Sequence, residues 1–223
     1  MDSTAWQGLN ASFVADGMQR LNGAAFAREH ELRGLTALTG RVAIGPAYTV
    51  RVRAARNPAG NERQRWFDAI DQAPKGSVFV IQANDDVGAA VFGEMVALRL
   101  HTLGVAGAVV DGYSRDIQQI RDIGLAYWTR TITMRGMIPD EADTETGVVL
   151  DIGGTTIRPG DLVAADADGV VVCPQAAAEQ ALGIARTFRD SEVVTERELR
   201  KGARLLDVYP SKTSIPLAGG KRD

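Results

Sequence analysis

The chain has 223 residues, long enough for one large domain that buries a substantial core. Its 25 Lys and Arg against 28 Asp and Glu leave a net charge of −3, which gives no support to a nucleic-acid partner, because that requires a basic surface. A single cysteine excludes an internal disulfide framework, and the absence of a long apolar run or signal-peptide core leads to the expectation of a cytoplasmic protein with no membrane partner. In chain order, residues 10–22 predict a helix with Phe13, Met18 and Leu21 on its apolar side. Residues 41–53 alternate as strands do, with an interruption expected at Gly45-Pro46. Residues 54–65 are polar and charged, a loop leading to a helix around 66–73. Residues 77–82 read as a buried strand and 91–103 as a helix with Phe92, Met95, Val96, Leu100 and Leu103 on one stripe. Residues 105–110 form a second apolar strand, closed by Asp111-Gly112. From 147 onward short strands follow quickly, with turns at Gly153-Gly154, Arg158-Pro159-Gly160-Asp161 and Asp166-Ala167-Asp168-Gly169. Two helical stretches, near 175–188 and 190–204, close the chain before an irregular tail.

The segment from Gly93-Glu94 through twenty intervening residues to Arg115-Asp116 carries the chemistry. A βαβ crossover returns its second strand parallel to its first. The helix runs back about 18 Å at ~1.5 Å per residue. The following strand comes forward about 20 Å at ~3.3 Å per residue. These lengths cancel, so Arg115 and Asp116 emerge beside Glu94 at the carboxyl edge of the sheet, where parallel α/β folds place their sites. Two carboxylates without a neighbouring His or Cys suit a hard divalent ion such as Mg²⁺. Arg115 suits an anion or carbonyl oxygen beside that ion. The amides of Met95 and Val96 leave a helix N-terminus and suit a carboxylate. Together these groups fit a 2-oxo acid whose carbonyl becomes an enolate as a C–C bond breaks. The same residues also fit a simpler role, in which Arg115-Asp116 starts a helix and pairs on a solvated face.

Gly93-Glu94, Gly104-Val105-Ala106-Gly107-Ala108-Val109-Val110-Asp111-Gly112 and Arg115-Asp116 resemble the class II 4-hydroxy-4-methyl-2-oxoglutarate aldolases, a family that includes the regulator of ribonuclease activity A. The resemblance extends to Gly45-Pro46-Ala47-Tyr48-Thr49-Val50, Ile152-Gly153-Gly154, Arg158-Pro159-Gly160-Asp161 and Asp166-Ala167-Asp168-Gly169-Val170-Val171-Val172, and covers most of residues 10–205. It implies an α/β fold, a swivelling β/β/α domain like the phosphohistidine domains, assembled as a homotrimer or homohexamer. Residues 1–189 would form that domain, and 190–223 a C-terminal helix and tail packing on a neighbouring subunit. The family pattern implies that Asp116 ligates Mg²⁺ or Mn²⁺ directly and Glu94 through a water, where several relatives carry Asp. It further implies that Arg115 binds the pyruvyl carbonyl oxygen and that Gly93 and the amides of Met95 and Val96 bind the substrate. A glutamate from a neighbouring subunit completes many such sites, and spacing selects Glu192, with Glu196 one turn later as the alternative. The implied activity is cleavage of 4-hydroxy-2-oxo acids to pyruvate, with oxaloacetate decarboxylation at the same site. The alternative within the family is a non-catalytic regulator that binds a ribonuclease; those are expected to be shorter chains without residues 190–205.

Other motifs have simpler readings. Asp166-x-Asp168-Gly169 resembles the opening of a calcium loop but lacks the remaining ligands, and reads as a turn. Cys173, in the apolar run 170–173, reads as a buried small hydrophobe, and His30 and His101 as packed or surface residues. Arg130 and Arg135 follow the Tyr127-Trp128 strand, where the family recognises the far end of its substrate, and the segment 129–135 departs from the commoner family pattern. No nucleophile elbow, P-loop or Gly-x-Gly-x-x-Gly is present.

Overall fold

The structure is a computed structural model and describes residues 6–83 and 87–210. In chain order its first half contains α1 (Ala11–Asn22), α2 (Ala24–Glu29), β1 (Glu31–Leu32), β2 (Thr36–Ala37), β3 (Ala43–Ala54), α3 (Glu62–Asp71), β4 (Val78–Ala83), β5 (Ala90–Phe92) and α4 (Glu94–Thr102). Its second half contains β6 (Gly107–Ser114), α5 (Ile117–Ile123), β7 (Ala126–Ile132), β8 (Ala142–Thr146), β9 (Leu150–Ile152), β10 (Thr155–Ile157), β11 (Leu162–Ala165), β12 (Val170–Cys173), α6 (Gln175–Arg200) and α7 (Leu205–Val208).

Side-chain alternation along the strands sets the layers. Phe79 and Ile81 of β4, Val110 of β6 and Tyr127 of β7 face Trp66, Ile70, Leu100 and Ile120 from α3, α4 and α5. The intervening residues Val78, Val80, Val109 and Trp128 face the opposite way, onto Leu150, Ile152, Ile157, Val163 and Val172. That second face is enclosed because the sheet curls into a half-barrel. Its far end, β11 and β12 with the start of β3, shows its outer face to α1 and α6 through Ile44, Leu162, Ala164, Val171 and Cys173. Strand order is β1-β12-β11-β3-β4-β6-β7-β2, with β5 paired to β6 and β8 to β3. The pairs β3–β4, β4–β6 and β6–β7 are parallel, joined across α3, α4 and α5, and the remaining ladders outside β5–β6 are antiparallel. This is the expected α/β, swivelling β/β/α architecture with a C-terminal helix.

Several boundaries differ from the sequence reading, each for a physical reason. Gly45-Pro46 does not interrupt β3, because the strand changes partner there. Ala43 to Pro46 pair with β11, and β4 takes over from Ala47, so the missing proline N–H falls at the handover. The helix expected from 91 begins at Glu94: Val91 and Phe92 belong to β5, and extended Gly93 (φ −153°, ψ −168°) caps α4. Helix α3 starts earlier than expected, at Glu62, whose carboxylate reaches back to accept the backbone N–H of Ala59 and of Gly60. The two C-terminal helices are one of 26 residues, α6, which runs through the 189/190 boundary. No Gly or Pro lies between Gly183 and Gly202 to stop it. The tail beyond residue 210 lies outside the described residues. Among the described residues no helix is long and apolar enough to cross a membrane.

Candidate active site

Glu94, Arg115 and Asp116 meet at the carboxyl edge of β4, β5 and β6, as the crossover geometry requires. The backbone N–H of Glu94, the first residue of α4, donates to Asp116 Oδ2 at 3.2 Å. Arg115 Nε lies 3.4 Å from the same oxygen, and its backbone N–H donates to the Phe92 carbonyl at 3.0 Å. Both side chains remain open to solvent, 47% for Arg115 and 36% for Asp116, and Glu94 is half-buried.

Asp116 is the only non-glycine residue with positive φ among the described residues (φ 61°, ψ 39°). Its carbonyl accepts the Ile120 N–H at 3.0 Å and starts α5, yet its carboxylate makes no capping bond to that helix. An aspartate there would normally turn onto the first amides of its own helix. Here the left-handed backbone turns it toward α4 instead. Gly93 leaves room for it: a Cβ at that position would stand 2.6 Å from Asp116 Oδ2. The amides of Met95 and Val96 belong to the first turn of α4, where N–H groups lack intrahelical acceptors, and Met95 is 67% exposed. An anion at that helix end would meet two free donors and the positive end of the helix dipole.

Sequence reasoning missed the support beneath this edge. Ser114, immediately before Arg115, is buried and its hydroxyl contacts both Tyr127 OH and Thr129 Oγ1, the latter at 2.6 Å. Tyr127 stacks on Phe92 with ring centroids 4.7 Å apart, and its burial raises the phenol pKa far above the ordinary value. The trio is therefore a neutral hydroxyl network that anchors the β6 end from which Arg115 projects. The only hint in the sequence is the i, i+2 spacing of Tyr127 and Thr129, which places both on one strand face.

The remaining candidates separate from the site or settle into structural roles. Arg130 lies within β7 rather than after it and pairs with Asp111. Arg135 lines a hollow of about 400 Å³ with Met137, Ile138 and Glu141. Glu192 is exposed on α6, which packs on α1 and β12, and among the described residues it joins no group of three or more His, Cys, Asp or Glu placed to hold a metal. Glu196 pairs with Arg200 at 2.5 Å. Asp166 is a turn residue: its carboxylate accepts the N–H of Ala11 at 2.8 Å and of Asp168 at 2.9 Å. His30 bonds the Phe26 carbonyl at 2.8 Å and packs on its ring, whereas His101 is exposed on α4. Burial first, and the charge of Asp161 second, push the Cys173 thiol up to about 12, as suits a packing residue.

Comparison with known proteins places the chain in a family. The family described as RraA-like, Aldolase/RraA, matches residues 11–172. A Halalkalibacterium halodurans protein named "Putative 4-hydroxy-4-methyl-2-oxoglutarate aldolase" is 33% identical over 198 residues, which is 83% of this chain and 89% of that one. Among solved structures, an uncharacterized protein from Pseudomonas syringae pv. tomato superposes with a TM-score of 0.76 at 25% identity, over 93% of each chain. Streptomyces coelicolor RraAS2, described as an unusual member of the RNase ES inhibitor RraA protein family, gives 0.72 at 26% identity over 92% of this chain and 98% of its own. RraAS2, so described, spans nearly the same length as this chain, so the C-terminal extension is not confined to relatives named as aldolases. With the match running from α1 to β12 and enclosing Glu94, Arg115 and Asp116, the chain belongs to the RraA-like Aldolase/RraA family.

Proposed function

We propose that the chain is a divalent-metal-dependent class II aldolase that cleaves 4-hydroxy-2-oxo acids of the 4-hydroxy-4-methyl-2-oxoglutarate type to pyruvate, with oxaloacetate decarboxylation as a side activity. The observation that carries the proposal is the backbone of Asp116. A left-handed non-glycine residue costs roughly 1–3 kcal/mol, and here it turns a carboxylate away from its own helix toward an open edge.

The donor set fits Mg²⁺ or Mn²⁺. Asp116 and Glu94 are hard oxygen donors, Gly93 preserves space beside one of them, and Mg²⁺ typically keeps several waters and takes one or two carboxylates. Among the described residues no group of three or more His, Cys, Asp or Glu is placed to hold a metal, so one chain offers this pair. In this reading Asp116 would hold the ion directly and Glu94 through water, and the ion would polarise the 2-oxo group as a Lewis acid. The amides of Met95 and Val96 bind the substrate carboxylate, which aims the carbonyl oxygen at Arg115. When the C3–C4 bond breaks, its electron pair passes into the pyruvyl unit, the 4-hydroxyl loses its proton, and C4 leaves as a ketone or aldehyde. Arg115 stabilises the negative charge that grows on the enolate oxygen, and protonation at C3 gives pyruvate. Oxaloacetate reaches the same enolate by losing carbon dioxide. The proposed assembly is a homotrimer or homohexamer, in which Glu192 of a neighbouring subunit approaches the pair.

Pyruvate release from both substrates, measured with Mg²⁺, with EDTA and in variants, tests the proposal. Asn tolerates the left-handed backbone and keeps an acceptor for the Glu94 N–H, so Asp116→Asn should fold normally and lose metal-dependent turnover. Arg115→Ala should lower kcat by ~10²–10³. Normal turnover in both folded variants would remove the site from consideration. No release above the EDTA blank in the unaltered protein would favour the second reading, a non-catalytic partner of a ribonuclease, to which the length match with RraAS2 gives weight.

A further inference from the structure

We propose that Gly136 is a positioning residue for Arg115, a seat whose lack of a side chain sets where the guanidinium stands. The inference rests on the reading of Arg115 as the group facing the enolate oxygen. A Cβ at Gly136 would stand 2.3 Å from Arg115 Nη1, 2.8 Å from Cζ and 3.2 Å from Nη2, so the whole fork lies across the glycine Cα. Gly136 is not among the glycines with positive φ, so its backbone does not require glycine; the space does. The seat is held in place from β5. The Ala90 N–H donates to the Arg135 carbonyl at 2.7 Å, and the Met137 N–H donates to the Ala90 carbonyl at 3.0 Å, which forms a bridge between Ala90 and Gly136. Two residues along the same strand, the Phe92 carbonyl accepts the Arg115 N–H, and Gly93-Glu94 follow directly. One short strand therefore registers the guanidinium against the carboxylate pair, with Arg115 Nε on Asp116 and its fork on Gly136. Holding a cation on two sides before substrate arrives is how a site avoids reorganisation during the reaction. The clash made by a methyl group at Gly136 would fall on the far end of a flexible side chain, so Arg115 moves and the backbone stays.

A double-mutant cycle separates this role from a merely structural one. In the unaltered background Gly136→Ala should lower kcat by about 10²-fold, the cost of a displacement near 1 Å at a reacting centre, with KM little changed. In the Arg115→Lys background, where the fork is absent, the same substitution should cost little. An equal loss in both backgrounds would overturn the proposal. A second readout is independent of turnover: the Arg115 Nε–H resonance, identified by its loss in Arg115→Lys, should shift in Gly136→Ala. An unmoved resonance would overturn the seat even if the chain is an aldolase. If the unaltered protein releases no pyruvate, the function fails while the resonance still decides the seat. If Gly136→Ala alone does not fold, recovery of folding in the double variant supports the seat, and failure to recover overturns it.

Discussion

At the scale of single residues, two carboxylates show how this chain uses backbone amides. Asp116 accepts the first N–H of α4, and Gly93, the residue that caps that helix, leaves room for its carboxylate. Glu62 does the equivalent for the loop before α3. Its carboxyl is held below the ordinary 4.5 first by its own backbone amide and then by those of Ala59 and Gly60. The folded pKa is lowered, so the associated stability is present above the unfolded value and disappears as pH falls through the folded one. The difference in Tm between the unaltered protein and Glu62→Gln should therefore be constant near neutrality and close as the pH falls below 4.5. A difference that persists unchanged in acid would show that Glu62 acts through shape and not charge. The spacing of Glu94, Arg115 and Asp116 was readable before any fold was known, because helix rise and strand rise cancel by arithmetic. Gly136 and the buried hydroxyls of Ser114, Tyr127 and Thr129 were not, because each matters only through a neighbour more than ten residues away in sequence.

At the scale of elements, the packing of α1 on α6 depends on one close approach. A Cβ at Gly17 would stand 2.3 Å from the Ala181 carbonyl oxygen and 3.1 Å from its carbon. Replacing a mid-helix Gly by Ala normally gains up to about 1 kcal/mol in helix propensity. Here the methyl group meets backbone, which cannot rotate aside, and overpacking of that kind costs about 1–3 kcal/mol. The clash should win, so Gly17→Ala should lower the urea midpoint with an unchanged m-value; an unaltered or higher midpoint would mean that the helices slide apart freely. The same pair shows where element reading succeeds and fails. Helix α1 matched its expected span because Asn10 caps it, its side chain accepting the Phe13 N–H at 2.9 Å, and Gly23 follows it. Helix α6 was read as two because the apolar stripe weakens around Arg189-Asp190, a pair joined at 2.7 Å on a helix that does not break. The strand β5 was absorbed into α4 because a three-residue strand has too few residues to show a period of two.

At the scale of the whole molecule, the proposed site and Glu192 stand on separate parts of the chain, since α6 is packed against α1, α7 and β12. If neighbouring subunits share the site, Glu192→Ala and Asp116→Asn should each lower activity, and oligomers formed from both variants together should recover part of it. Full activity in Glu192→Ala, or no recovery on mixing, would remove Glu192 from the proposal. Exposed Val193, Val194, Leu205 and Leu206 surround that region of α6 and α7. By itself the sequence determined the local quantities: the alternating strands, the crossover that delivers Arg115-Asp116 to Glu94, the glycine-rich turns, and through its motifs the family. Those follow from fixed rises, periodicities and turn chemistry within about thirty residues. Only the tertiary structure decided that the sheet curls, that β3 changes partner at Pro46, that Asp116 takes a left-handed backbone, and that Gly136 lies under Arg115. Each of those depends on which distant surfaces meet, and close packing rather than local preference selects among them.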